Sequence, residues 1–96
     1  MQENIELSNT DKIQLKTVSA QQVKHMKDML IDEAKIIINN NYDIPRVERE
    51  QESDRVSLII KIDDELKDEI KNYCGTKDVR IRDFWVECVH RIIQRY

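Results

Sequence analysis

Two histidines, two cysteines and a few clustered cations are the residues of this 96-residue chain whose types could carry chemistry. His25 and His90 stand apart from any cysteine or carboxylate that a helix would bring to them, Glu87 at three residues before His90 excepted. A histidine and a glutamate at that spacing are common on helix surfaces, and a metal or acid-base centre needs more donors than these two. Cys74 and Cys88 fall on apolar positions of helical stretches, which points to small core residues in a reducing compartment. Gly75 is the single glycine, so no glycine-rich loop can cradle a phosphate. The expectation is a binding protein with no catalytic residue, no metal and no cofactor. Ser57, Ile59 and Lys61 alternate along one side of an extended stretch, and Lys77, Arg80 and Arg82 gather where a helix begins.

The elements that would position them follow from local pattern. Val56, Leu58, Ile60 and Ile62 repeat every second residue, which marks a strand with one buried face. Asp63 suits a helix cap, and Asp64 and Glu65 place negative charge where the helix dipole favours it, so a helix is predicted to start near Asp64. Its apolar residues are Leu66, Ile70, Tyr73 and Cys74, and Gly75 stands where a left-handed cap would end it. After a turn at 76–78, Ile81, Phe84, Trp85, Cys88, Val89, Ile92, Ile93 and Tyr96 form a sustained helical stripe.

The amino-terminal half reads less clearly. Residues 1–18 are polar enough to predict a flexible tail, with a weak strand alternation at Lys12 to Val18. Val23, Met26, Leu30, Ala34, Ile37 and Ile38 recur at helical spacing, so residues 19–41 are predicted as an amphipathic helical arm capped by Ser19 and ended by three asparagines. Residues 42–54, with Pro45 and a run of charges, read as a linker. No internal repeat stands out.

A chain this small buries only a little over half of its unfolded surface, which makes pairing with a second copy an obvious source of core. Hydrophobic residues make up 40% and charged residues 36%, and no apolar run approaches the length that spans a bilayer. Met1-Gln2-Glu3-Asn4 has neither the basic nor the apolar region of a signal peptide, so the expected location is cytoplasmic, away from membranes. The net charge of -3 is uneven. Residues 1–54 hold 7 Lys and Arg against 11 Asp and Glu, whereas residues 55–96 hold 9 against 8.

The run Ile60-Lys61-Ile62-Asp63-Asp64-Glu65-Leu66 and the run Arg82-Asp83-Phe84-Trp85-Val86-Glu87-Cys88-Val89 resemble the strand-to-helix joint and the second helix of ribbon-helix-helix DNA-binding proteins (Arc/MetJ/CopG-like). The resemblance covers residues 55–96. It implies a mainly α fold with one short strand, in which two copies form an intertwined homodimer around an intermolecular antiparallel β-ribbon, each copy carrying its helical arm. Val56, Leu58, Ile60, Ile62, Leu66, Ile70, Phe84, Trp85, Cys88 and Val89 would make the dimer core. The ribbon would enter the major groove of double-stranded DNA and present Ser57, Ile59 and Lys61 to base edges. Lys77, Arg80 and Arg82 would contact phosphates near the start of the second helix, and Arg55 would do so at the ribbon edge. Ile59 departs from the polar residue usual at the middle position. The implied role is a sequence-specific transcriptional repressor or a centromere-binding adaptor in plasmid partition. The alternative is an antitoxin or other protein-interaction module whose residues 19–41 bind a partner protein. A third arrangement, a sheet within one chain using Lys12 to Val18, predicts a monomer.

Overall fold

The computed structural model describes residues 2–45 and 55–96. In chain order it holds β1 (Gln2–Ser8), α1 (Asn9–Gln22), α2 (Met26–Asn40), β2 (Arg55–Lys61), α3 (Asp64–Lys77) and α4 (Ile81–Arg95). The fold is mainly helical with one two-stranded antiparallel sheet, and the sheet joins β1 to β2 of the same chain. The described part of the predicted linker ends at Pro45; residues 46–54 lie outside the described residues.

Several expectations change here. The ribbon expected between two copies is closed within one chain, because β1 supplies the mate that β2 was thought to lack. Residues 2–18 form a strand and most of a helix where a flexible tail was expected. The intrachain alternative had the mate in 12–18, but Leu15 and Val18 are buried three residues apart on α1, which is helical and not strand spacing. The predicted arm divides at Val23 into the end of α1 and the whole of α2. Met29, Leu30, Ala34 and Ile37 of α2 are buried in the core, where α2 packs on α4, so this apolar face has its partner inside the chain.

The six elements form two strand-helix-helix units of matching size. Each unit has a 7-residue strand, a 14-residue helix and a 15-residue helix. Helix boundaries in the second unit follow those in the first by 55 residues: Asn9 and Asp64, Gln22 and Lys77, Met26 and Ile81, Asn40 and Arg95. Burial repeats with the same shift. Leu15 and Val18 match Ile70 and Tyr73, while Met29, Leu30, Glu33, Ala34 and Ile37 match Phe84, Trp85, Cys88, Val89 and Ile92. The ladder obeys it too. Asn4 pairs with Ile59, its own counterpart, and Ile5 with Leu58, as the counterparts Ile60 and Glu3 pair with each other. A pseudo-two-fold axis therefore passes through the Asn4–Ile59 pair. The sequence carries this repeat only thinly, in identities such as Ile5 with Ile60, Asp28 with Asp83 and Ile37 with Ile92 among mostly unlike pairs.

Local chemistry explains the joints. Ser8 caps α1 by accepting a 3.1 Å hydrogen bond from the Asp11 amide. The first helix of each unit ends in a left-handed residue, Val23 or Asp78, and the next amide bonds back over the turn, Lys24 to the Ser19 carbonyl and Val79 to the Cys74 carbonyl, both at 3.0 Å. Helix α3 therefore runs through Gly75, the expected cap, and stops three residues later. That extra turn lets half-buried Val79 close over the core.

Candidate nucleic-acid interface

A two-stranded sheet has one face to spend on the core and one to show. On the inner face, Ile5, Leu7 and Ile60 are buried, with Val56 and Leu58 packed against the same cluster. Glu3 is half-buried on this side, with Lys67 3.8 Å away. On the outer face stand Gln2, Asn4 and Glu6 from β1 and Ser57, Ile59 and Lys61 from β2, paired as Gln2–Lys61, Asn4–Ile59 and Glu6–Ser57. Ser57, Ile59 and Lys61 are thus brought to one exposed face as expected, with Ile59 60% exposed at its centre. Gln2, Asn4 and Glu6 were missed, since two apolar residues, Ile5 and Leu7, are too few for the alternation to declare a strand.

The second helix of the first unit adds cations that linear spacing could not associate with the ribbon. Lys27 and Lys35 of α2 line a cleft of about 200 Å³ together with Lys61, Asp63 and Asp28. Only the folded chain places Lys27 near Lys61. The pseudo-symmetric position of Lys35 is His90, whose Nε2 lies 3.0 Å from the Asp11 carboxylate, so a bridge between α4 and α1 occupies the other side.

The expected phosphate contacts are placed as follows. Lys77 ends α3, 3.1 Å from Asp43 and 5.9 Å from the Tyr73 ring centroid. Arg80 is the residue before α4, its Nε 3.3 Å from the buried Asp83 carboxylate. Arg82 is half-buried in the first turn. Lys77 and Arg80 are therefore tied to carboxylates of their own chain. The side chain of Arg55 lies outside what is described.

The expected core residues divide by depth. Ile60, Ile62, Leu66, Ile70, Phe84, Trp85, Cys88 and Val89 are buried, and Val56 and Leu58 are partly so, in a core built by one chain. Phe84 packs edge-to-face on both Tyr73 and Trp85, with centroids 6.0 and 5.5 Å apart. The thiols of Cys74 and Cys88 are free and buried; burial pushes the Cys74 thiol up to about 11 and the Cys88 thiol well above its ordinary value. Among the described residues no three His, Cys, Asp or Glu side chains cluster as metal ligands, and no helix is long and apolar enough to cross a membrane.

Acidic and basic side chains also pair across the two units. Glu3–Lys67, Asp11–His90, Glu33–Arg91, Glu33–Arg95 and Asp43–Lys77 each set an acid of the first unit or its tail against a base of the second. Arg91 also lies over the Tyr42 ring, 4.4 Å from its centroid. Compared with family models, with curated proteins and with solved structures, the chain finds no match in any of the three.

Proposed function

We propose that this protein is a sequence-specific DNA-binding regulator that reads the major groove with its two-stranded ribbon, in the manner of the ribbon-helix-helix proteins it resembles, but with both ribbon strands on one chain. The observation that carries the reading is the outer ribbon face, where Gln2, Asn4, Ser57 and Lys61 stand clear of the core that buries the opposite face. A two-stranded ribbon is narrow enough for the groove, which offers a distinct set of donors, acceptors and methyls at each base pair. Glutamine and asparagine side chains can bond adenine at two points, lysine can donate to guanine O6 and N7, and Ile59 can touch a thymine methyl. Lys27 and Lys35 supply charge for the phosphates beside the Lys61 end. Repression or partition, the roles of the family, would follow from occupying such a site.

A mobility-shift titration at low and high salt tests the proposal. Combined Ser57→Ala and Lys61→Ala substitution is expected to weaken specific binding at least tenfold, and unchanged binding would reject the ribbon as the reading surface.

A second reading, a protein-interaction module, rests on Ile59, a large apolar side chain exposed at the centre of the face. It places a partner protein on the ribbon and not on residues 19–41. In that case Ile59→Lys would abolish the partner complex, whereas DNA binding would be absent from the start.

A further inference from the structure

Resting on the reading that the ribbon faces a duplex, we propose that a single chain recognises an asymmetric DNA site, with the half-site under Gln2 and Lys61 held more tightly than the half under Glu6 and Ser57. A ribbon made of two identical strands presents the same residues to both halves of its target and so selects a palindrome. This ribbon does not. The shift of 55 residues that superposes the two units carries Glu6 onto Lys61 and Gln2 onto Ser57, and the axis runs between Asn4 and Ile59. Where two-fold recognition would need a repeated side chain, a carboxylate stands opposite in sense to an ammonium. Guanine O6 and N7 accept from a lysine and repel a carboxylate, so the two halves cannot prefer the same base.

The flanks differ in which residues carry the charge. Beside Lys61, Lys27 and Lys35 line a cleft shared with Asp28 and Asp63 and add cations where the duplex backbone would pass. On the other side stand Arg82, the counterpart of Lys27, and Lys12, whose Nζ lies 3.4 Å from the Ser57 carbonyl oxygen, while the counterpart of Lys35 is His90, 3.0 Å from the Asp11 carboxylate. The centre is asymmetric as well: Asn4 suits adenine and Ile59 suits a thymine methyl, so one oriented A·T pair satisfies both.

The experiment is a selection from randomised duplexes with the full chain, followed by stoichiometric titration of the recovered site. The expected result is a consensus without two-fold symmetry, saturated by one chain per duplex. Lys61→Ala should relax base preference roughly tenfold or more in one half of the site and leave the other half as it was. Lys27→Ala should weaken binding to all sequences alike and lower the salt slope by about one. Glu6→Lys, checked for folding by circular dichroism, should move the consensus toward a palindrome. A palindromic consensus, or two chains per site, would overturn the asymmetric reading and leave DNA binding standing. Failure to enrich any sequence would overturn DNA binding itself, and the asymmetric site with it.

Discussion

The Glu33 carboxylate, 1% exposed on α2, lies 2.9 Å from the Arg95 guanidinium and 3.6 Å from the Arg91 guanidinium on α4. Its counterpart in the second unit is Cys88. An assembly of two second units would therefore set Arg91 and Arg95 against thiols, with no carboxylate at that position. The buried pair thus favours joining a first unit to a second one, a specificity role for which buried charges are suited. Glu33→Ala is expected to destabilise the chain by roughly 2 kcal/mol, less than for a fully buried pair because both arginines reach solvent. Urea denaturation measures this, and a change within error would remove Glu33 from the account.

Pairing inside the chain predicts a monomer. Light scattering should return 11.5 kDa at micromolar concentration, and twice that mass would restore the intermolecular ribbon. Leu7→Asp, which puts a charge into the buried face of β1, should detach that strand and expose β2. The expected readout is concentration-dependent association through the freed edge.

Two backbone positions carry removable cost. Val23 is 92% exposed and left-handed at φ 51°, a conformation that opposes a β-branched side chain. Gly75 lies inside α3 and a Cβ there would meet nothing within 4 Å. Val23→Asn and Gly75→Ala are each expected to add about 0.5–1 kcal/mol, and the pair should add independently. A thermal melt in which either variant falls below the parent would contradict the helix ends described above.

Glu87 on α4 is half-buried, and burial raises its carboxyl above the ordinary range, with His90 and Arg91 opposing and Glu33 adding to the rise. A raised folded-state value means that protonation favours the native state. The contribution is complete below the unfolded value of about 4.3 and is lost as pH rises through the folded value. Glu87→Gln should therefore gain stability relative to the parent between pH 4 and pH 7, and denaturation midpoints at the two pH values compare them directly. An advantage confined to pH 4 would reverse the assignment.

What the residues alone determined was local. The alternation of Val56, Leu58, Ile60 and Ile62 specifies β2, the acids after Ile62 specify the start of α3 through the helix dipole although Asp63 makes no side-chain capping bond, and the stripe from Ile81 to Ile93 specifies α4, because period and local charge depend only on near neighbours. The apolar spacing of α2 was legible for the same reason, although its start was set by the left-handed turn at Val23. Which strand pairs with β2 was decided by tertiary structure. Pairing joins residues 47 to 59 positions apart, and Gln2–Ser8 carries only Ile5 and Leu7 to advertise a buried face. The repeat was hidden likewise, since most matched pairs differ in residue type, as Leu30 does from Trp85 and Glu33 from Cys88. More than half of the candidate interface, Gln2, Asn4, Glu6, Lys27 and Lys35, became part of the surface only when the core closed beneath it, because a solvent-facing residue takes its meaning from what the folded chain sets beside it.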